Sequence, residues 1–169
     1  MKTAIAILTM LACSNAWAIS DLKTAAVSVS VSNHFSLTLT GPNAAGINFG
    51  AKNGGDSDYQ VIGLSVEDNH GMVWTIALSG TPLTHVQDGV TQMPASALKY
   101  NISGGAGVAV PASGVLNVPA TPTTIYTAAL AEWNSIGLAL GLGIELNVPL
   151  TQKNGDYSTI LNITLSDAF

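Results

Sequence analysis

The stretch "YQVIGLSVEDNHGMVWTIALSG", residues 59–80, decides how the chain is read. "YQVIGLSVE" reads as a strand, "DNHG" as a tight reversal, and "MVWTIALSG" as the strand that returns beside it. A hairpin of this kind predicts an antiparallel sheet. Trp74, near its second strand, suits a sandwich core, with stacking on a ligand as its other reading.

Upstream, "LKTAAVSVSVS" alternates with a period of two. Ala25, Val27, Val29 and Val31 point one way, and Ser28, Ser30 and Ser32 point the other, as in a half-buried strand. "HFSLTLTG" continues that parity through Phe35, Leu37 and Leu39. Asn33 interrupts the apolar face, so two strands are predicted, 23–32 and 34–40. "GPNAAG" and "GAKNGGDSD" are turn-forming stretches around a short strand "INF", residues 47–49.

Downstream, "TPLTHVQDGVTQMPA" is a loop, "SALKYNIS" a strand, and "VAVPASGVLNV" a strand broken by Pro111. "TTIYTAAL" and "IGLALGLGIELNVPL" follow. The second is too short to span a bilayer and carries Glu145 and Asn147, so it reads as a long strand with a bulge or bend at Gly141 or Gly143. "DYSTILNITLS" closes the sequence, with Tyr157, Ile160 or Leu161, Ile163 and Leu165 as buried candidates. One helix is predicted, "YTAALAEWN", residues 126–134, which carries Tyr126 and Trp133. Many short strands separated by turns predict an all-β fold, an immunoglobulin-like antiparallel β-sandwich.

The start of the chain reads as an export signal. Lys2 precedes a short apolar run, and Ala16 and Ala18 give an A-x-A cleavage pattern. Cleavage after Ala18 leaves 151 residues and removes Cys13, the sole cysteine. "MLAC" is a rival lipidation site at Cys13. Residues 1–18 are thus a leader, 19–33 a leading strand and 34–169 the sandwich. The mature chain reaches a disulfide-permissive compartment with no disulfide to form, so packing and backbone pairing must stabilise it.

There is no arginine, and loss of Lys2 leaves four lysines against ten acidic residues, a net charge of −6. Nucleic acid and anionic membrane surfaces, which both rest on basic clusters, are therefore not expected as partners. Only 9% of residues are charged while 47% are apolar. Such a chain suits either a surface largely covered by copies of itself or an ordinary surface of Ser, Thr and Asn.

Nothing in the sequence calls for catalysis. The G-x-S-x-G, P-loop and H-E-x-x-H patterns are absent. His34, His70 and His85 lack zinc-ligand spacing and read as surface residues. Asp56 and Asp58 sit in a Gly-rich loop without the rest of a calcium loop, so they read as a solvated turn. No metal, cofactor or enzyme activity is expected. Asn101 and Asn162 match the N-glycosylation pattern by coincidence, because Asn162 lies in a predicted strand and the leader looks bacterial.

A sandwich short of one strand exposes an apolar groove and an unpaired edge. A strand lent by a second copy can fill both, with main-chain bonds for affinity and alternating side chains for the groove. Repeated head to tail, that contact builds a filament. Ala25, Val27, Val29 and Val31 have the form of such a donor. Tyr157, Ile163 and Leu165 on the closing strand would form one wall of the acceptor. The other reading pairs strand 23–32 within its own domain.

"VSVSVSNHFSLTL", "DYQVIGLSVEDN", "IALSGTPLTHVQDGVTQMPASALKYNISGG" and "GDYSTILNITL" together resemble the major subunits of alternate-chaperone, colonisation-factor fimbriae. The resemblance covers most of the mature length, and the order and spacing of the segments carry most of it. It implies an incomplete immunoglobulin-like sandwich, a periplasmic chaperone, an outer-membrane usher and polymerisation of identical subunits by donor-strand exchange, with export through the inner membrane to the cell surface. The segments "LSVEDNHGMVWTI" and "DYSTILNITLSDAF" also resemble WxL cell-surface domains. There Trp74-Thr75-Ile76 matches the first motif, and Ile163-Thr164-Leu165 lacks the tryptophan of the second. That resemblance implies a monomeric module binding peptidoglycan or another wall or host glycan through exposed aromatics, with Trp74 and Trp133 as candidates.

Overall fold

A computed structural model describes residues 28–167. The chain divides into two units, residues 1–31 and 32–169. Of the first unit only residues 28–31 are described. They form no strand, and Val29 and Val31 are 85% and 73% exposed. The expected strand over 23–32 is therefore absent from its described part, and Ala25 and Val27 lie outside the described residues.

The second unit is an antiparallel β-sandwich. Its strands are β1 (Phe35–Thr40), β2 (Ser57–Asp68), β3 (Trp74–Gly80), β4 (Thr84–His85), β5 (Leu98–Ser103) and β6 (Val108–Ala109). β7 (Leu116–Asn117), β8 (Thr123–Thr127), β9 (Leu138–Asn147), β10 (Tyr157–Ser158) and β11 (Leu161–Asp167) complete the set. One sheet has the order β1-β2-β9-β5-β7, and the other β11-β3-β8-β6; β10 pairs with β4. The runs β1-β2-β9-β5 and β11-β3 match the immunoglobulin orders A-B-E-D and F-C. In that scheme a strand G flanks F. Among the described residues nothing pairs with the outer edge of β11.

β2 and β3 do not form the expected hairpin. β2 pairs with β1 and β9, β3 with β11 and β8, and residues 69–73 cross between the sheets. The crossing loop spends its backbone donors on neighbouring loops: Asp68 N–H on the Ser135 carbonyl, Asn69 N–H on that of His34, Gly71 N–H on that of Trp133. Face-to-face packing buries Leu64 and Val66 of β2 against the layer holding Trp74, Ile76 and Leu78 of β3, all fully excluded from water. Each such side chain contributes about 1.5–3 kcal/mol by leaving water.

Three further expectations are corrected. Residues 47–49 are not paired as a strand. Residues 126–134 are not a helix: Thr123–Thr127 is β8, and Leu130–Glu132 is a single 3-10 turn. The register of β9 against both neighbours runs without a bulge. Gly143 is small for another reason: a Cβ there would strike the Tyr59 hydroxyl and the Asn101 side-chain oxygen, which are hydrogen-bonded across the sheet at 3.0 Å.

Candidate functional site

The two lateral sides of the sandwich differ. On one, the sheets end in β6 and β7, two residues each. On the other they end in β1 and β11, six and seven residues long, whose Cα atoms approach within 8 Å. Long unpaired edges invite pairing with another chain, and short ones do not.

Between the long edges lies a groove of about 300 Å³ whose apolar lining is interrupted by Asn43, Ser158 and Thr159. Its floor is made by Ile62, Leu98 and Ile144, which belong to the core. Leu161 and Ile163 of β11 and Tyr157 of β10 form one wall. Leu39, Ile47 and Phe49 stand opposite. Along β11 burial alternates: Leu161, Ile163 and Leu165 are half-buried, while Asn162, Thr164 and Ser166 are exposed. Ile160 is 69% exposed, so Leu161 is the inward residue of that pair. The structure thus brings Tyr157 and Ile163 to one wall, with Leu165 farther along the same strand.

Tyr157 is fixed from several directions. Its hydroxyl donates to the Lys153 carbonyl at 2.9 Å and accepts from the Gln152 amide at 2.6 Å. Its ring meets the edge of His85 at 5.1 Å. His85 is not the surface residue expected: it is 4% exposed. The Asp88 N–H points to His85 Nδ1 at 3.3 Å, so Nε2 carries the proton and donates to the Asn154 carbonyl at 3.1 Å. Asp88 is held ionised well below the usual carboxylate range, first by Lys153 at 2.7 Å, then by Thr91 and the N–H groups of Val90 and Thr91. These bonds tie the 84–91 loop to the 152–157 turn, whose Tyr157 lines the groove.

The other candidate residues lie apart from it. Trp74 is fully buried, stacks on Tyr126 at 5.6 Å and donates its indole N–H to the Glu132 carbonyl at 3.1 Å, so no face is open to a ligand. Trp133 packs against the core with its indole N–H buried. Asp58 pairs with Lys52 at 2.8 Å, which lowers its pKa, and Asp56 accepts the Asn53 N–H at 2.7 Å. His34 bonds Glu67 at 2.6 Å on the surface, and His70 lies beside Phe35 and Asp167.

Sequence reasoning missed Glu132, which is 4% exposed. Its carboxylate accepts the Tyr126 hydroxyl at 2.8 Å and the Ala129 and Ala106 N–H groups, and so holds the glycine-rich 104–107 loop against the 3-10 turn. A lone acid inside the apolar run "TAALAEW" was the available signal. Tyr126 is pushed up to about 12, by burial first and then by its bond to Glu132.

No family model matches the chain, and no curated protein does. Among solved structures it is similar to a family 123 glycoside hydrolase from Clostridium perfringens, described for glycolipid glycan hydrolysis, at 14% identity and a TM-score of 0.43. That match covers 68% of this chain and 19% of the hydrolase.

Proposed function

We propose that the chain is a structural, non-enzymatic subunit of a surface fimbria, assembled by donor-strand exchange and supporting adhesion. The observation that carries this reading is that both long sheet edges flank one groove, with Leu161 and Ile163 on one side and Leu39, Ile47 and Phe49 on the other, while the opposite side ends in two-residue edges. Among the described residues nothing pairs beyond β11, the position where an immunoglobulin sandwich keeps its last strand. The occupant is the row Ala25, Val27, Val29 and Val31 of another copy. Val29 and Val31 stand exposed, as a segment destined for a partner must. The sequence resemblance to fimbrial major subunits supports the same reading. With it come a periplasmic chaperone that shields the groove before assembly, an outer-membrane usher, and a host or wall glycan as the target of the finished polymer.

The experiment is assembly of the chain starting at residue 19. It forms multimers that resist heat and SDS, and Val29→Asp abolishes them, because a carboxylate placed against Leu161 and Ile163 loses its hydration without gaining a partner. A chain that stays monomeric at every concentration in the absence of any chaperone contradicts the proposal.

A further inference from the structure

The first residues of the sandwich are held by one side chain. Residues 32–34 precede β1, belong to no strand and are exposed. The β1–β2 register ends at Phe35 opposite Asp68. Asn69, the next residue of the crossing loop, carries it one step further, because its backbone N–H donates to the His34 carbonyl at 3.1 Å. The Asn69 side chain then takes the place of a peptide group. Its Oδ1 accepts the His34 N–H at 2.6 Å, and its Nδ2 donates to the Ser32 carbonyl at 2.9 Å. A carboxamide carries an acceptor and a donor side by side, which is what the two backbone groups flanking Asn33 require. The His34 ring is tied in turn to Glu67 of β2 at 2.6 Å.

We infer that Asn69 is a positioning residue for assembly: it pins the root of the leading segment, so that successive copies are joined without slack. The inference rests on the proposed donor-strand reading, with residues 25–31 as the donor. That row ends at Val31 and the clamp begins at Ser32, so no residue of the connection is free. Releasing Ser32, Asn33 and His34 adds roughly 10 Å of extended chain between one sandwich and the next. A free linker lets the bodies it joins swing, whereas a held one passes bending on to the bodies themselves. An exposed hydrogen bond is weak alone, but here the bonds of one residue close on neighbouring backbone groups and each fixes the geometry of the others. Asn69 does not line the groove. It therefore governs how copies are spaced and leaves untouched how the donor is gripped.

Polymers of the chain starting at residue 19 test this, with Asn69→Leu removing both side-chain bonds and Asn69→Asp keeping the acceptor alone. For Asn69→Leu the expected result is an SDS-resistant polymer whose persistence length in electron micrographs is several-fold shorter. Exchange of the His34 amide becomes faster by about tenfold, and the urea midpoint holds because residues 32–34 fray before the sandwich unfolds. Asn69→Asp falls between the two. A lowered urea midpoint with unchanged persistence length marks a merely structural role and overturns the inference, as does loss of the polymer by a folded variant. If Asn69→Leu does not fold, Asn69→Asp decides: filaments as stiff as those of the unaltered chain overturn the inference and leave the polymer reading standing. Absence of any multimer from the unaltered chain overturns the polymer reading, and this inference with it.

Discussion

Glu132 is a carboxylate buried in the sandwich, 4% exposed. A buried carboxylate is tolerated only when its oxygens are bonded, and this one accepts a hydroxyl and two backbone N–H groups. Glu132→Ala leaves those donors unpaired and is expected to lower stability by about 3 kcal/mol, read as a shift in the urea midpoint. Its partner gives an alkaline signature. The pKa of Tyr126 in the folded chain is about 12, above the ordinary value near 10. The folded state therefore favours the neutral phenol. Its contribution is complete below about pH 10 and is lost as pH rises toward about 12. Urea midpoints measured across that window should fall, and Tyr126→Phe should fall less. Equal falls in both chains contradict the assignment.

At the scale of elements, alternation made the strands legible and said nothing about which sheet each joins. Leu64 and Val66 of β2 and Trp74, Ile76 and Leu78 of β3 would all turn inward in a hairpin as in two facing layers, so residues 59–80 support either arrangement. The choice is made by the crossing loop, whose partners at His34, Trp133 and Ser135 are remote in sequence. The same holds for residues 126–134, where helix-forming alanines and leucine yield to the ladder of β8 and the buried Glu132. His85 was opaque because its burial depends on the 152–157 turn, nearly seventy residues away. The closing strand, by contrast, was readable: Ile163 and Leu165 alternate in sequence and in burial. β9 offers a test of close approach. Gly143→Val displaces the Tyr59 hydroxyl from Asn101 and is expected to cost about 1–3 kcal/mol in chemical denaturation, with the strand register intact.

For the whole molecule, the asymmetry of the sandwich is the central feature: among the described residues one lateral side tapers to short edges, and the other keeps β1 and β11 with a groove between them. A surface of low charge and no arginine fits a protein that meets copies of itself more than nucleic acid or anionic lipid. The sole cysteine is Cys13, so a chain starting at residue 19 is a clean background for trapping contacts. The decisive measurement mixes one chain bearing Val29→Cys with others bearing Leu161→Cys, Ile163→Cys or Leu165→Cys, followed by mild oxidation. Neighbouring strands bring inward residues within the roughly 7 Å Cα separation a disulfide can bridge. The account predicts a mixed disulfide between the two chains at one of these positions, and contradiction is a mixture in which no pairing traps the two chains together.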